Sequence, residues 1–449
     1  MTHRSEIRSE LQRARLRRHA RLLRSLALAA GLTLPACSLD EILSIEDPDA
    51  ATPASLEGKD ALPALLAGAI GDLQVGYAGD GGSTGAGEGI VNYGGLLADE
   101  FISTESFPTR VPIDQRDLTS ENPSVSNVYL LLHVARAAAE RAAAQFAEFE
   151  PNSAGHATAL AFAGFSYIAL AENFCSGIPV STLAPSGATE FGDPLSTVQL
   201  FERAIERFDA ALGAAPATAA TQRHLATVGK ARALLNLGRP AEAGTLAVSV
   251  PAGFVFFIEH SANTVRQENG VFQYVNLQER WGVADVEGGN GLAYRSSADS
   301  RTRFRLDPGN GLGFDGTTPI FHQLKYPGRA DNVVLASTTE ARLIQAEAEL
   351  KAGRVPEWLA LLNGLRAAGG LSALADPGSA PARLDLTFRE RGFWLWLTGH
   401  RLGDLRRLIR DYGRAAASVF PTGNYHKGGV YGPDVSFPLP AEELNNPKA

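Results

Sequence analysis

Apolar residues recur at three- and four-residue spacing along most of the chain, which is the period of one face of an α-helix. The stretches with this spacing are 62–76, 124–149, 155–173, 195–213, 222–237, 240–249, 338–352, 356–368, 386–398 and 400–413. Helix-start and helix-stop residues support several of them: Ser196 lies at the start of the fourth, and Gly238 and Gly369 follow two others. The pattern predicts a mainly α-helical protein.

Two of the predicted helices share a short sequence, which indicates a repeated helical hairpin. Lys230–Arg239 and Gln345–Arg354 align without gaps, and both read A-x-A-x-L-x-x-G-R, with Pro240 and Pro356 soon after. Small alanines allow helices to approach closely, glycine ends a helix, and proline fits the first turn of the next one. This is the pattern of a tetratricopeptide-like hairpin. Because the copies lie 115 residues apart, they predict a scaffold with other structure inserted between them.

Three stretches lack the helical spacing: residues 77–123, 250–335 and 414–441. They combine Gly, Asn and Asp with aromatic residues, and we predict that they form long loops with short strands. Loops this long inside a compact domain are usually functional or disordered, and the aromatic content argues against disorder. We therefore predict a single domain over residues 61–449, in which the hairpin scaffold carries three long irregular insertions.

The charge of the chain is divided unevenly between its N-terminus and the rest. Residues 1–36 contain eight arginines and two glutamates, so the remainder is more acidic than the net charge of -8 indicates. An acidic body lacks the basic surface that a nucleic-acid-binding protein needs. We therefore expect no nucleic-acid partner.

The basic segment is followed by the apolar run Leu26–Leu34 and then by Leu34-Pro35-Ala36-Cys37, which resembles a bacterial lipobox. We predict that residues 1–36 are a cleaved lipoprotein signal peptide, that Cys37 carries the lipid, and that residues 37–60 form a polar tether. An acylated cysteine anchors a chain in a bilayer without a spanning helix. A plain cleaved signal, or an uncleaved helix with Cys37 in a core, remains the alternative.

Further motifs, taken in order, resemble the SusD/RagB family of outer-membrane nutrient-uptake lipoproteins. The most specific is Arg389–Leu395 followed by Gly399–Arg407, which is similar to the family pattern ER-x-x-E-L and then G-x-R-x-x-D-L-x-R. Trp394 stands where the family often has glutamate. The other motifs are Cys37–Asp40, Ala161–Pro179, Phe201–Ile205, the two hairpin sequences, Leu343–Arg366 and Phe437–Pro447.

The resemblance implies a SusD-like fold and a function in binding. Such a protein captures a nutrient, an oligosaccharide or a peptide, and delivers it to a TonB-dependent outer-membrane barrel. It implies anchoring in the outer membrane through Cys37, facing the cell exterior, with no enzymatic activity, cofactor or metal. Two alternatives remain open: a periplasmic lipoprotein adaptor that uses its hairpins to hold another protein, and a lipid-anchored hydrolase. An aromatic cluster in the insertions favours capture over the adaptor.

Aromatic residues in the insertions are candidates for ligand binding. A flat ring stacks on the face of a pyranose, and a side-chain amide donates to its hydroxyl groups. On this basis Trp281 and Tyr294 are candidate stacking residues, with Asn290 as a polar partner. The alternative is that each ring packs its loop onto the scaffold.

The most specific motif contains a cluster of charges: Arg389, Glu390, Arg391, Arg401 and Asp404. No nucleophile or general base accompanies them, so an active site is not indicated. Because Arg401 and Asp404 lie one helical turn apart, we interpret the cluster as a structural ion-pair network that joins two helices.

Other possible sites carry weaker signals. Asp99 and Glu100 offer paired carboxylates for glycoside hydrolysis, but adjacent residues rarely point into one cleft. The glycines at 79–89 lack the Gly-Lys-Ser/Thr ending of a phosphate loop. The sequence contains no His/Cys cluster with metal-ligand spacing. We also predict no membrane-spanning helix, because no stretch reaches roughly 20 apolar residues.

Overall fold

The computed structural model describes residues 57–82, 87–183 and 188–448, which belong to one compact unit. The mainly α prediction is confirmed. The helices are α1 Leu62–Ala78, α2 Gly89–Leu97, α3 Val111–Gln115, α4 Pro123–Phe149, α5 Ala154–Asn173, α6 Thr197–Ala214, α7 Ala220–Asn236, α8 Pro240–Ala247, α9 Gly270–Phe272, α10 Thr338–Lys351, α11 Val355–Ala368, α12 Ala380–Trp394 and α13 Arg401–Arg410.

Side-chain caps account for where several helices begin. Asn122 accepts hydrogen bonds from two backbone N–H groups at the start of α4, and Ser196 forms a capping box with Gln199 at the start of α6. Ser379 caps α12, which therefore starts at Ala380 and not at 386 as predicted. The predicted first residue lies too far along the chain because the first turns of α12 lack a regular apolar spacing, although a serine cap and a proline mark them.

The two predicted hairpins are neighbours in space. The first consists of α7 and α8 and the second of α10 and α11, and α8 packs directly against α10. At this contact, a methyl group added to Gly244 would lie 2.6 Å from Cβ of Ala348. Small residues therefore allow the close approach that the shared sequence predicted, although the whole 250–335 segment lies between the hairpins in the chain.

The helices α5, α6 and α7 pack around the ring of Phe208. A methyl group at Gly164 or Gly229 would lie 2.7 or 2.3 Å from Cζ of Phe208. The Phe208 ring also makes an edge-to-face contact with Phe165, with ring centroids 5.2 Å apart. This part of the scaffold has no room for larger side chains at the two glycines.

Within the described residues, two helical segments are long and apolar enough to cross a membrane, Lys59–Ala78 and Ala154–Asn173, contrary to the sequence prediction. In the second, which is α5, 89% of the most apolar window is buried inside the protein. In the first, which contains α1, 56% of the most apolar window is buried, and α1 packs against α4. Core helices pass the same test as membrane spans, and the packing of these two helices accounts for their composition.

Short antiparallel strands lie in the first two irregular segments, as predicted, and also between α5 and α6, where none was predicted; the described residues 414–441 contain no strand. The strands are β1 Phe101–Ser103, β2 Ile178–Pro179, β3 Thr182–Leu183, β4 Thr189–Glu190, β5 Pro194–Leu195, β6 Val255–Ile258, β7 Trp281–Val283, β8 Phe304–Leu306, β9 Phe321–Gln323 and β10 Val333–Ser337. They pair as β1–β7, β2–β5, β3–β4, β6–β10 and β8–β9. The β1–β7 pair joins the first irregular segment to the second.

The prediction of loops throughout 77–123 was wrong, because this segment contains α2 and α3. Every residue of α2 is buried, so its sequence has no polar face and no helical alternation. Its three glycines, Gly89, Gly94 and Gly95, further lower its apparent helix propensity. Contacts made by the folded protein therefore determine this helix.

The packing around Phe208 predicts the effect of Gly229→Ala. The new methyl group has no space, so we expect a loss of about 1–3 kcal/mol in the free energy of unfolding. The control is Gly364→Ala in α11, where nothing lies within 4 Å of the added methyl group. Because alanine favours the helix, that variant should be up to about 1 kcal/mol more stable. Urea unfolding followed by circular dichroism measures both, and equal stability of the two variants would contradict the packing argument.

Candidate functional site

A buried ion-pair network joins α10, α12 and α13. Arg391 donates two hydrogen bonds to Asp404 at 2.8 and 2.9 Å, and Arg407 donates to Asp404 at 2.8 Å and to Glu347. These four side chains are at most 5% exposed. Burial alone would raise the pKa of Asp404, but Arg391 and Arg407 outweigh it and hold that pKa well below its ordinary value. Each charge in the network is neutralised within the protein, which is how charges are tolerated in an interior.

The predicted pairing of Arg401 with Asp404 is not observed. Arg401 donates instead to both carboxylate oxygens of Asp99, at 2.6 and 2.7 Å. Arg401 and Asp404 both belong to α13, but Asp404 pairs with Arg391 of α12. Arg401 pairs with Asp99, in the segment that follows α2. The sequence could not indicate this partner, because Asp99 lies some 300 residues away.

The remaining predicted members of the cluster form a separate group. Glu390 is buried and accepts hydrogen bonds from Arg301 at 2.7 Å and from Arg366 at 2.9 Å. Arg389 is half-exposed and lies 3.7 Å from Glu390. The five charges are therefore divided among three groups that tie the scaffold helices together and to the irregular segments. Among the described residues, the ion pairs of these three groups join one part of the protein to another, which is a structural role.

Asp99 and Glu100 do not form a hydrolytic pair. Asp99 is fully buried against Arg401 and also accepts from the backbone N–H of Leu292 at 2.8 Å. Glu100 is 1% exposed and accepts from the N–H of Leu397 at 2.8 Å. Burial raises the pKa of Glu100 to about 8. Neither carboxylate faces a cleft, so a glycoside cannot lie between them.

The structure places the predicted stacking residues Trp281 and Tyr294 in the core, with no exposed surface. Trp281 stacks on Tyr274 with ring centroids 5.3 Å apart, and its indole N–H donates to Asn92 at 3.2 Å. Tyr294 packs edge-on against Phe393. Neither ring offers a face to a ligand in this conformation. The alternative reading, that such rings pack loops onto the scaffold, accounts for both.

Asn290 is half-buried and joins two irregular segments. Its side-chain amide donates to the backbone carbonyls of Ala417 and Phe420, both at 2.8 Å. The donor that was predicted to face a ligand is therefore used inside the protein.

The exposed aromatic residues of the irregular segments include a pair that sequence reasoning missed. Phe107 and Phe314 are each 45% exposed, and their rings are nearly parallel, with centroids 5.8 Å apart. The guanidinium of Arg280 lies 3.6 Å from the centre of the Phe314 ring and 5.1 Å from that of Phe107. Arg110 lies 5.3 Å from the Phe107 ring. We call these four residues, Phe107, Arg110, Arg280 and Phe314, the aromatic platform.

The buried carboxylate of Glu105 fixes the two arginines of the platform. It accepts from Arg110 at 2.8 Å and from Arg280 at 3.3 Å, and its side chain has no exposed surface. Ion pairs of this kind hold guanidinium groups in one orientation. The arginines are therefore positioned before any ligand arrives.

Backbone hydrogen bonds join the segments that carry the platform. Thr104 N–H donates to Arg280 O at 3.0 Å, Phe314 N–H donates to Glu279 O at 2.9 Å, and Asp315 N–H donates to Thr104 O at 2.8 Å. Lys427, from the third irregular segment, forms an ion pair with Asp315. All three segments predicted as insertions thus contribute to this region. These contacts support the platform from all three segments, and a binding site on loops requires such support.

A sequence signal for the platform existed but was weak. Phe107 lies between Ser106 and Pro108, and Phe314 lies between Gly313 and Asp315, so both stand among turn-forming residues. A lone aromatic residue in a turn has few apolar neighbours to bury it. The predicted stacking residues were a Trp and a Tyr, and rings with a polar tip are readily buried when that tip finds a partner.

A surface groove of about 530 Å³ lies elsewhere, on the scaffold between α6, α7 and α8. Its charged lining residues pair with one another: Lys230 with Asp209 at 2.5 Å, and Arg239 with Glu242 at 2.6 Å. The charges that line this groove are therefore balanced by one another.

The burial of Glu100 predicts a pH dependence of stability. Because its pKa rises from 4.5 to about 8 on folding, its stabilising contribution is present below about pH 4.5 and is lost as pH rises through 8. Glu100→Gln keeps an acceptor for Leu397 and cannot ionise. We expect it to be more stable than the wild type by about 2–4 kcal/mol at pH 8.5, and much closer to it at pH 5. Urea unfolding at both pH values measures this difference.

The control is Glu148→Gln at the exposed end of α4, which should unfold like the wild type at both pH values. An E100Q variant that gains nothing over the wild type between pH 5 and pH 8.5 would show that Glu100 ionises freely in the folded chain.

Comparison with known proteins gives matches at the level of structure. No family model and no curated protein matches the sequence. A SusD-like carbohydrate-binding protein from Bacteroides vulgatus matches with 17% identity and a TM-score of 0.58, over 77% of this chain and 82% of its own. A SusD/RagB family protein from Bacteroides thetaiotaomicron has 14% identity and a TM-score of 0.61, over 86% and 94%.

A third solved structure, described as a laminarin-binding SusD-like protein, has 14% identity and a TM-score of 0.58, over 87% of this chain and 98% of its own. Identities this low are evidence of shared architecture only. The order of sequence motifs and the structural matches agree, and the chain has the fold of the SusD/RagB proteins.

Proposed function

We propose that this chain is a cell-surface lipoprotein that captures an oligosaccharide on the aromatic platform and delivers it to a TonB-dependent outer-membrane transporter. The observation that carries the proposal is the pair of exposed, parallel rings of Phe107 and Phe314, with two arginines fixed beside them. The SusD-like fold supports it, since solved structures with this fold are described as carbohydrate-binding or laminarin-binding.

The chemistry of the platform suits a sugar. The C–H face of a pyranose packs on a phenyl ring, and guanidinium N–H groups donate to its hydroxyls. Arg110 donates to Glu105 and Glu88, and Arg280 donates to Glu105 and, through Nε, to Gln278. Because a guanidinium has five N–H donors, each arginine still keeps N–H groups for a sugar.

The platform favours capture over the adaptor alternative. An adaptor that holds another protein through its hairpins has no use for a rigid aromatic and arginine cluster on its irregular segments. A peptide ligand is the second candidate, because exposed phenylalanines and arginines also bind aromatic and acidic side chains.

Anchoring belongs to the same proposal. Cys37, the predicted site of acylation, and the tether over 37–60 lie outside the described residues except at 57–60. The lipobox-like sequence at 34–37 supports a lipid anchor, and a surface-facing position in the outer membrane places the platform where nutrients arrive. The TonB-dependent barrel as partner follows from the family resemblance.

Ligand capture is tested with glycan and peptide arrays, followed by calorimetry with the best binder. We expect an oligosaccharide to bind, and Phe107→Ala and Phe314→Ala each to weaken its binding by about tenfold or more, a loss of roughly 1.4 kcal/mol. The loss arises because each truncation removes one stacking face without opening the core.

The matched control is Phe149→Ala, another exposed phenylalanine at 37%, which is the last residue of α4 and does not belong to the platform. It should bind like the wild type. Equal affinities of all three variants would remove the platform from the proposal, and a chain that binds no glycan and no peptide would favour the adaptor.

The anchor is tested by mass spectrometry of the N-terminal peptide of the membrane-extracted protein. We expect a diacylglycerol-modified Cys37 at the mature N-terminus. The Cys37→Ser variant should appear in the soluble fraction, because it lacks the acyl chains that hold the protein in the bilayer. An unmodified thiol in a chain that is still membrane-bound would contradict this part of the proposal.

A further inference from the structure

Three potential metal ligands converge where the β8–β9 hairpin meets the turn before β7. They are a carboxylate oxygen each from Glu279 and Asp307 and a ring nitrogen of His322, and these atoms all lie within 4.8 Å of one another. Nε2 of His322 is 3.3 Å from Oε1 of Glu279 and 3.7 Å from Oδ1 of Asp307. The residues are far apart in sequence, which is why no ligand spacing predicted this cluster.

His322 is the unusual member of the cluster. It is 2% exposed, and among the described residues neither of its ring nitrogens has a hydrogen-bond partner. Buried polar side chains are nearly always hydrogen-bonded, and leaving one unpaired costs roughly 1–3 kcal/mol. An imidazole that is buried and aimed at two carboxylates therefore lacks a partner that a cation would supply.

The carboxylate of Asp307 is held in place for such a role. Its Oδ2 accepts from the backbone N–H groups of Gly309 at 2.9 Å and Gly311 at 3.2 Å. This fixes the group and leaves Oδ1 facing His322. A carboxylate oriented by hydrogen bonds on its second oxygen is typical of metal ligands in proteins.

The two carboxylates have no cation to balance them. Among the described residues, no lysine or arginine forms an ion pair with Glu279 or Asp307. Two neighbouring carboxylates repel each other, and a divalent cation between them would remove this repulsion.

We infer that Glu279, Asp307 and His322 bind a divalent first-row transition metal ion, with zinc the best match to the ligand set. Zinc takes nitrogen and oxygen ligands at roughly 2.0–2.2 Å, so two ligands of a tetrahedral site lie about 3.4 Å apart. The two measured distances to Nε2, 3.3 and 3.7 Å, bracket this value. Calcium fits less well, because it takes oxygen ligands only.

The site opens to solvent on one side. The side chain of Glu279 is 31% exposed, whereas those of Asp307 and His322 are 7% and 3% exposed. Three protein ligands and an open fourth position leave room for water or for an oxygen of a ligand. The site adjoins the aromatic platform through Arg280, but its metal binding is independent of whether the platform binds a glycan.

The test is calorimetric titration of the purified chain, produced without a histidine tag and treated with a chelator, with zinc chloride. We expect one zinc ion per chain. Glu279→Gln and His322→Ala should each weaken binding at least tenfold, because each removes a ligand atom. Cobalt chloride provides a second readout, since a nitrogen- and oxygen-ligated cobalt ion absorbs visible light and the Glu279→Gln variant should lose that absorption.

Glu279 lies at the surface, so its glutamine variant keeps the fold even if the His322 variant does not, and circular dichroism checks both. The control is His260→Ala, which removes another buried histidine with an unpaired Nε2 outside the cluster; it should bind zinc like the wild type. Unchanged zinc affinity in Glu279→Gln, or binding of calcium in preference to zinc, would overturn the inference. Neither result depends on glycan binding, so the proposed function is tested separately.

Discussion

The hydrogen-bonded pair of Arg401 and Asp99 determines how the irregular part of the molecule is attached to the helical scaffold. Arg401 belongs to a scaffold helix, and Asp99 lies between α2 and β1, where it also accepts from the backbone of Leu292. Both charges are buried, so removing either partner would leave the other without compensation, which is costly in a protein interior. One carboxylate thereby holds a scaffold helix and two irregular segments together.

The position of the aromatic platform follows from this attachment. Strand β1 begins two residues after Asp99 and pairs with β7, which brings Arg280 beside Thr104 and Glu105. Glu105 then orients both arginines, and Phe314 reaches the platform through a backbone hydrogen bond to Glu279. The exposed rings are thus supported by a continuous set of buried polar contacts. Binding surfaces formed from loops need such support, because a loop alone does not hold side chains in fixed positions.

Whether an aromatic residue of the irregular segments is buried or exposed depends on the contacts that its neighbours make with it. Trp281 finds a ring to stack on and an amide oxygen for its N–H, and it is buried. Phe107 and Phe314 stand in turns with arginines for neighbours, and they stay half-exposed. The presence of a large ring in an irregular segment therefore predicts poorly which aromatic residues remain exposed. The local supply of apolar surface and hydrogen-bond partners decides it.

The amino-acid sequence by itself determined the helical scaffold. Apolar spacing, serine caps and the repeated A-x-A-x-L-x-x-G-R pattern are local signals, and each acts through contacts a few residues away along the chain. The order of its motifs was also enough to predict the SusD-like fold. The local signals missed α2 and α3, and in α2 complete burial removes any polar face from the sequence.

Only the tertiary structure decided which residues meet across the irregular segments. The partner of Arg401, the pairing of Phe107 with Phe314, and the convergence of Glu279, Asp307 and His322 each join residues far apart in the chain. Such contacts leave no periodic trace in a single sequence, because they depend on how strands and loops are placed by the scaffold. The physical reason is that helices are specified by local spacing, whereas sites formed from loops are specified by long-range packing and by the need to neutralise buried charge.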